Sequence, residues 1–222
     1  MRNFINNTDD KNTLLQIEPL LLSQAQVVEL VGGNIAEQLR GQPNHKIDLE
    51  KLIKKASQSK KNLDQSIVKL LVKNTFSKPE TSFLLSAFAV SRAYERASVH
   101  MLEIAQLIDQ LLKRDNRVIP LSTIIGVVEE VNCLFGIAKQ LYFSNDGSRL
   151  SSDMLRADTL RDIVLSASRV HVTYLLENPR NIREFLILEE LIRALEQLNA
   201  YLEVILRETA FINALEDTSD TL

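Results

Sequence analysis

Two stretches of the chain, Tyr94 to Ile104 and Leu195 to Ile205, read as copies of one another. Aligned without a gap at an offset of 101 residues, Glu95 falls on Glu196 and Ile104 on Ile205. What precedes each stretch also matches: a breaker with proline (Asn74 to Ser82, Asn178 to Arg183), a short polar segment, then an apolar run of helical period. A duplicated helical unit is the simplest reading. Function is then to be sought in what the two copies kept and lost.

The spacing predicts six helices. The first runs from about Leu14 or Pro19 to Arg40, with Pro19 tolerated only in the opening turn, and Gly41-Gln42-Pro43-Asn44 ends it. The second, about Asp48 to Lys73, carries a stripe of Leu49, Leu52, Ile53, Ala56, Leu63, Ile67, Leu70 and Leu71. Ser77-Lys78-Pro79-Glu80 reads as a capping box with proline in the first turn of the third helix, which continues to about Arg114. Its stripe is Phe83, Ala87, Val90, Tyr94, Ala97, Met101, Ile104, Ile108 and Leu111. Alternating steps of four and three keep that stripe against a neighbour along the whole helix.

Asp115-Asn116-Arg117 separates the halves, and Pro120 opens a fourth helix that runs to about Phe143. Asn145-Asp146-Gly147-Ser148 is a turn. Ser151 or Ser152 is expected to cap a fifth helix, about Asp153 to Glu177, and Asn178-Pro179 a sixth, to about Ala214. Short connections make neighbours antiparallel. The expected fold class is therefore all-α: two tandem three-helix bundles, residues 14–114 and 119–214, set end to end, with 1–13 and 215–222 as flexible termini. One continuous helical layer without a division is the competing architecture.

Six glycines and five prolines are too few for the turn-dense chain an all-β fold needs. The absence of Trp argues against a stacking platform for single-stranded nucleic acid, and a net charge of −3 gives no general pull toward DNA. Cys133, the one cysteine, cannot form an internal disulfide and is expected as a core thiol in a reducing compartment. The first seven residues lack an apolar leader, and runs such as Phe83 to Val90 are too short to span a bilayer. A cytoplasmic location is the expectation.

Catalytic signatures are absent: no phosphate-cradling Gly loop, no His-Glu-x-x-His, no cysteine pair. Glu95 and Glu196 read either as remnants of metal ligands or as polar groups at a helix seam; the second is the commoner use of such positions. Arg96 is a contact for an acidic partner or phosphate, or simply solvated. His100 sits beside Met101 and Leu102 and reads as a structural histidine. Helix two holds lysines 46, 51, 54, 55, 60, 61, 69 and 73 against acids 48, 50 and 64, a solvated face or one that steers toward an acidic partner or anionic lipid. Helix six, with Glu184, Glu189, Glu190, Glu196, Glu203 and Glu208, is its acidic counterpart, and the two together would orient a homodimer.

Tyr94-Glu95-Arg96 with Ile104-Ala105, and Leu195-Glu196 with Ile205, resemble the Leu-Glu-Arg-Ile-Gly-Asp stretch found late in each three-helix bundle of the phosphate-uptake regulators, the PhoU family. Val172 to Asn178 is similar to that family's approach to its last helix, and the six-helix plan covers residues 14–214. The resemblance implies a non-enzymatic regulator of phosphate uptake and phosphate-starvation signalling. Its partners would be a phosphate transporter, its sensor kinase, or both, with peripheral membrane contact through them. It implies no nucleic acid and a homo-oligomer.

Family members bind metal through the motif Glu, an Asp one turn later and acids of the middle helix, because residues i and i+4 share a helix face. This chain has Val99 and Ala200 where those Asp residues would stand, and Lys51 to Lys61 is basic where the family is acidic. The family's middle-helix acids in the second half fall near Ala157 and Arg161. No cofactor is expected on that ground, and the metal candidates reduce to Asp158, Asp162 and Glu196. Partner contact falls to Glu95, Arg96, Lys54, Lys55, Lys60 and Lys61. The rival readings are a metal-binding helical bundle and a PhoU-like module serving another transporter or signalling pathway.

Overall fold

The computed structural model describes residues 17–41, 48–73, 76–113, 122–144, 147–177 and 179–219. They form six long helices: α1 (Ile17–Leu39), α2 (Leu49–Lys73), α3 (Lys78–Leu112), α4 (Ser122–Ser144), α5 (Leu150–Glu177) and α6 (Ile182–Ser219). A short 3-10 turn, Pro179–Asn181, leads into α6. No strand occurs among the described residues.

The helix ends follow from local chemistry. Pro19 lies in the first turn of α1, where its missing N–H leaves no helical bond unmade. At the other end Gly41 takes φ +69° and donates its N–H to the Gln38 carbonyl at 3.1 Å, a left-handed close that favours glycine. Ser77 caps α3 as a full box: its N–H donates to Glu80 Oε2 at 2.8 Å, and its Oγ accepts from the Glu80 N–H.

Three ends differ from expectation. α5 begins at Leu150, whose N–H donates to the Gly147 carbonyl; Ser152 turns its hydroxyl back to the Arg149 carbonyl and caps nothing. α6 begins after the 3-10 turn and continues through Ser219, so residues 215–219, expected as flexible, are helical. Residues 1–13, 220–222 and the turns expected at 42–44, 115–117 and 145–146 lie outside the described residues.

α1, α2 and α3 all pack on one another, and so do α4, α5 and α6. The two trios then join along α3 and α6, the largest helix interface, and along α1 and α4, leaving α2 and α5 on the outer flanks. They lie side by side and not end to end as the sequence suggested. The reason is that α3 buries more than one stripe. Phe83, Ala87, Val90, Tyr94, Ala97, Met101, Ile104 and Ile108 are buried as expected, but so are Leu84, Ala93, Ala105 and Leu107. A helix apolar on two sides must be covered on two sides. The result is one hydrophobic cluster running through both trios.

Matching positions meet at the junction. His100 and Tyr201, which coincide at the offset of 101, stack with ring centres 5.7 Å apart and planes 23° apart. Where α1 meets α4, a Cβ on Gly32 would lie 2.2 Å from Asn132 Oδ1, and one on Gly136 would lie 3.3 Å from Glu29 Oε1. Each helix thus offers a glycine to a polar side chain of the other. Tyr94 reaches across as well, with its ring 6.4 Å from Phe135 of α4. Its fully buried hydroxyl is held as a neutral phenol, its pKa raised by burial first and by Tyr142 and Glu29 next.

Two expected core residues lie outside the core. Leu71 is on the exposed side of α2, and Cys133 is exposed on α4. The α4 core row is Val127, Val131, Leu134, Phe135 and Ala138, and position 133 points away from it.

Candidate functional site

The acids singled out by the repeat lie where each outer helix meets its trio. On the α2–α3 seam, half-buried Glu95 accepts a hydrogen bond from Ser57 Oγ at 3.0 Å, and its other oxygen lies 3.8 Å from Arg96 Nε. One turn on, Val99 is 39% exposed and presents no ligand. Lys60 pairs with Asp64 on α2 and places its ammonium 5.9 Å from the ring centre of Phe88 on α3. Lys54, Lys55 and Lys61 point outward, exposed, and form no ion pair with described residues. Arg96 is exposed beside them. This seam is a cationic edge.

The α5–α6 seam is built differently. Asn199, buried on α6, donates to the Ala157 carbonyl of α5 and to Glu203 Oε1, both at 3.1 Å. Glu196 shares that face of α6 by its spacing from Asn199 and Glu203. Arg161 of α5 lies between acids of both helices, 3.8 Å from Asp158 Oδ1 and 3.8 Å from Glu203 Oε1. Met154, Ala157, Asp158, Glu203, Leu206 and Arg207 line a cleft of about 90 Å³ here.

A guanidinium therefore stands among the carboxylates where the resemblance would put an acid. Asp162 does not join them. It lines a separate groove of about 350 Å³ with Ile163, Val170 and His171. Asp158, Asp162 and Glu196 are thus not gathered: among the described residues no three His, Cys, Asp or Glu side chains are placed to hold a metal ion.

Links that sequence reading missed hold the rest. Arg156 of α5 donates to Glu130 of α4 at 2.7 Å, lies 3.5 Å from Asp153 and 3.9 Å from Cys133 Sγ. The Glu130 hydrogen bond raises the guanidinium pKa further, so this link keeps its charge. Between the trios, Arg40 meets Glu129 at 2.7 Å and Lys139 meets Glu29. The Asp153/Arg156 pair had a visible i, i+3 spacing; the pairs between α1 and α4 had no local signal at all. His100 contacts Glu103 at 2.9 Å as well as Tyr201, which places it at the seam as expected of a structural histidine.

These seams are structural links of hydrogen bonds and ion pairs, and the exposed charged groups lie on the outer faces. Six helices packed as two trios along α3 and α6 make an all-α fold. The chain matches the crystal structure of PhoU from Pseudomonas aeruginosa with a TM-score of 0.84 and 17% sequence identity, over 91% of this chain and 97% of that one. At that identity the likeness establishes the fold. No protein-family model matches the sequence, and no curated protein does. No helix among the described residues is long and apolar enough to cross a membrane.

Proposed function

We propose that the chain is a divergent member of the PhoU family and a non-enzymatic regulator of phosphate uptake and phosphate-starvation signalling. Its units are two copies of a three-helix bundle, residues 14–114 and 119–214. It acts at the cytoplasmic face by docking on a phosphate transporter, its sensor kinase, or both. The observation that carries this reading is the structural match along nearly the full length of both chains. The coincidence of Glu95 with Glu196 and the stacking of His100 on Tyr201 support duplication.

Docking in this reading uses the α2–α3 edge. Lys54, Lys55, Lys61 and Arg96 give that edge the positive charge that holds the chain where its partners are, while Lys60 and Glu95, tied to Asp64 and Ser57, keep it in shape. A rigid body of this kind changes a kinase or transporter only by binding one of its states better than the other. This reading requires no resident metal, because Arg161 already sets a cation between Asp158 and Glu203.

The test is a strain lacking the chain, with a phosphate-responsive reporter read at high and low phosphate. The expected result is expression that no longer falls when phosphate is plentiful. Unchanged repression overturns the reading and leaves the fold serving another pathway.

A further inference from the structure

The outer face of α2 is rich in lysine. The helix carries seven lysines against Glu50 and Asp64, in a chain whose net charge is −3. Lys51, Lys54, Lys55, Lys61 and Lys69 all lie exposed and without an ion pair to described residues. At the helical rise they form a line of roughly 27 Å on one side of the rod. The one acid among them, Asp64, is turned inward on Lys60. Apolar side chains share the face: Val68 is 56% exposed and Val72 is 80% exposed. Lys54, Lys61 and Val68 fall seven residues apart, one row outward from Ser57 and Asp64. Since Ser57 meets Glu95 and Lys60 reaches Phe88, that row borders the exposed row of α3, Leu85, Phe88, Arg92 and Arg96.

We infer that this α2–α3 face lies on an anionic lipid surface. Charge complementarity selects an acidic occupant, and the kind of side chain selects lipid over protein. Protein interfaces are built on Arg and aromatic anchors set in pockets, and lysine is depleted there. Here α2 supplies lysine alone along a helical rod, and the two arginines of the face, Arg92 and Arg96, stand on α3 at its border. A flat bilayer suits that shape. Lysine stems lie along the apolar boundary while their ammonium groups reach the phosphates, and Val68, Val72, Leu85 and Phe88 sink beside them. Attraction of this kind is local and fades within a Debye length, so it acts only once the face is against the surface. The face is the docking edge of the proposed function, but the inference does not need the phosphate reading. Vesicle binding is read on purified protein and reporter expression in cells, so either fails without the other.

The experiment is co-sedimentation of the full chain with vesicles of phosphatidylcholine alone and with phosphatidylglycerol added, at low and high salt. Binding is expected only to the anionic vesicles and only at low salt. The triple variant Lys54→Gln/Lys55→Gln/Lys61→Gln should bind about tenfold or more weakly. Arg169→Gln/Arg180→Gln/Arg183→Gln loses the same charge from the opposite flank and should bind as the parent does. Circular dichroism melts establish that both variants fold. Absence of binding to anionic vesicles, equal binding to neutral ones, or equal losses in the two triple variants overturns the inference. The first of these outcomes would assign the lysines to an acidic protein.

Discussion

α2 and α5 occupy the same place in their trios, yet they expose opposite chemistry. Each packs on the two other helices of its trio and stays out of the junction. α2 turns Ile53, Ala56, Leu63, Ile67 and Leu70 to the core and exposes mainly lysine, with Val68, Leu71 and Val72 in solvent only near its end. α5 buries Ala157, Leu160, Val164 and Ala167, but also leaves Leu155, Ile163, Val170 and Leu176 in solvent. The seams differ with them. A serine and an acid join α2 to α3, whereas an amide, a guanidinium and two acids join α5 to α6. The fold therefore fixes only the inner half of an outer helix. The outer half is not fixed by packing, and in this chain it carries mainly charge on one flank and more apolar surface on the other.

If the halves differ only on the outside, their cores should fail together. Leu63→Ala in α2 and Leu160→Ala in α5 each remove a fully buried side chain and should each cost about 2–5 kcal/mol. Because one cluster runs through both trios, urea unfolding followed by circular dichroism should show a single transition shifted in both variants. Two transitions, each moved by one substitution only, would break the comparison: the trios would then be separate folding units that merely touch.

The seams come next in size. Asn199 satisfies a buried carbonyl on α5 and holds Glu203, so Asn199→Ala should cost about 1–3 kcal/mol in the same measurement. Ser57→Ala removes one half-buried bond whose acceptor can turn to water, and should cost about 1 kcal/mol or less. Equal losses would mean that the two seams carry the same weight despite their different chemistry.

How much of this was legible depended on which half of a helix was being read. The α3 stripe and the Ser77 box were plain, because a long amphipathic period and a four-residue motif are local signals. The α5 side that turns inward was not, since its apolar residues fall on both sides and no single period picks the core row. The junction was equally hidden. Leu84, Ala93 and Leu107 look like ordinary variation until a second trio covers them, and Gly32 and Gly136 read as isolated helix glycines until α1 meets α4. Cys133 was misplaced because Val131, Leu134 and Phe135 beside it are apolar, although Glu129 and Glu130, one turn back, mark the outward side it shares. At the seam, Val99 and Ala200 could be read as side chains that hold no cation, one residue at a time. The Arg161 cation between Asp158 and Glu203 was not, because it needs the α5–α6 register.

That register supplies the finest test of the comparison. If Arg161 fills the place of a cation, replacing it by an acid should leave Asp158, Glu203 and the new carboxylate repelling one another, and a divalent ion should relieve them. Arg161→Glu combined with Ala200→Asp should melt lower than the parent in chelator. Its melting temperature should then rise with magnesium or manganese, by the equivalent of about 1 kcal/mol once the ion exceeds its dissociation constant several-fold. Val99→Asp on α3 restores the matching acid of the first trio, but with Lys54 and Lys61 exposed nearby and Lys60 on the seam it should show no such rise. A metal-dependent shift for Val99→Asp, or none for the α5–α6 pair, would show that the seams are not set apart by their built-in cations.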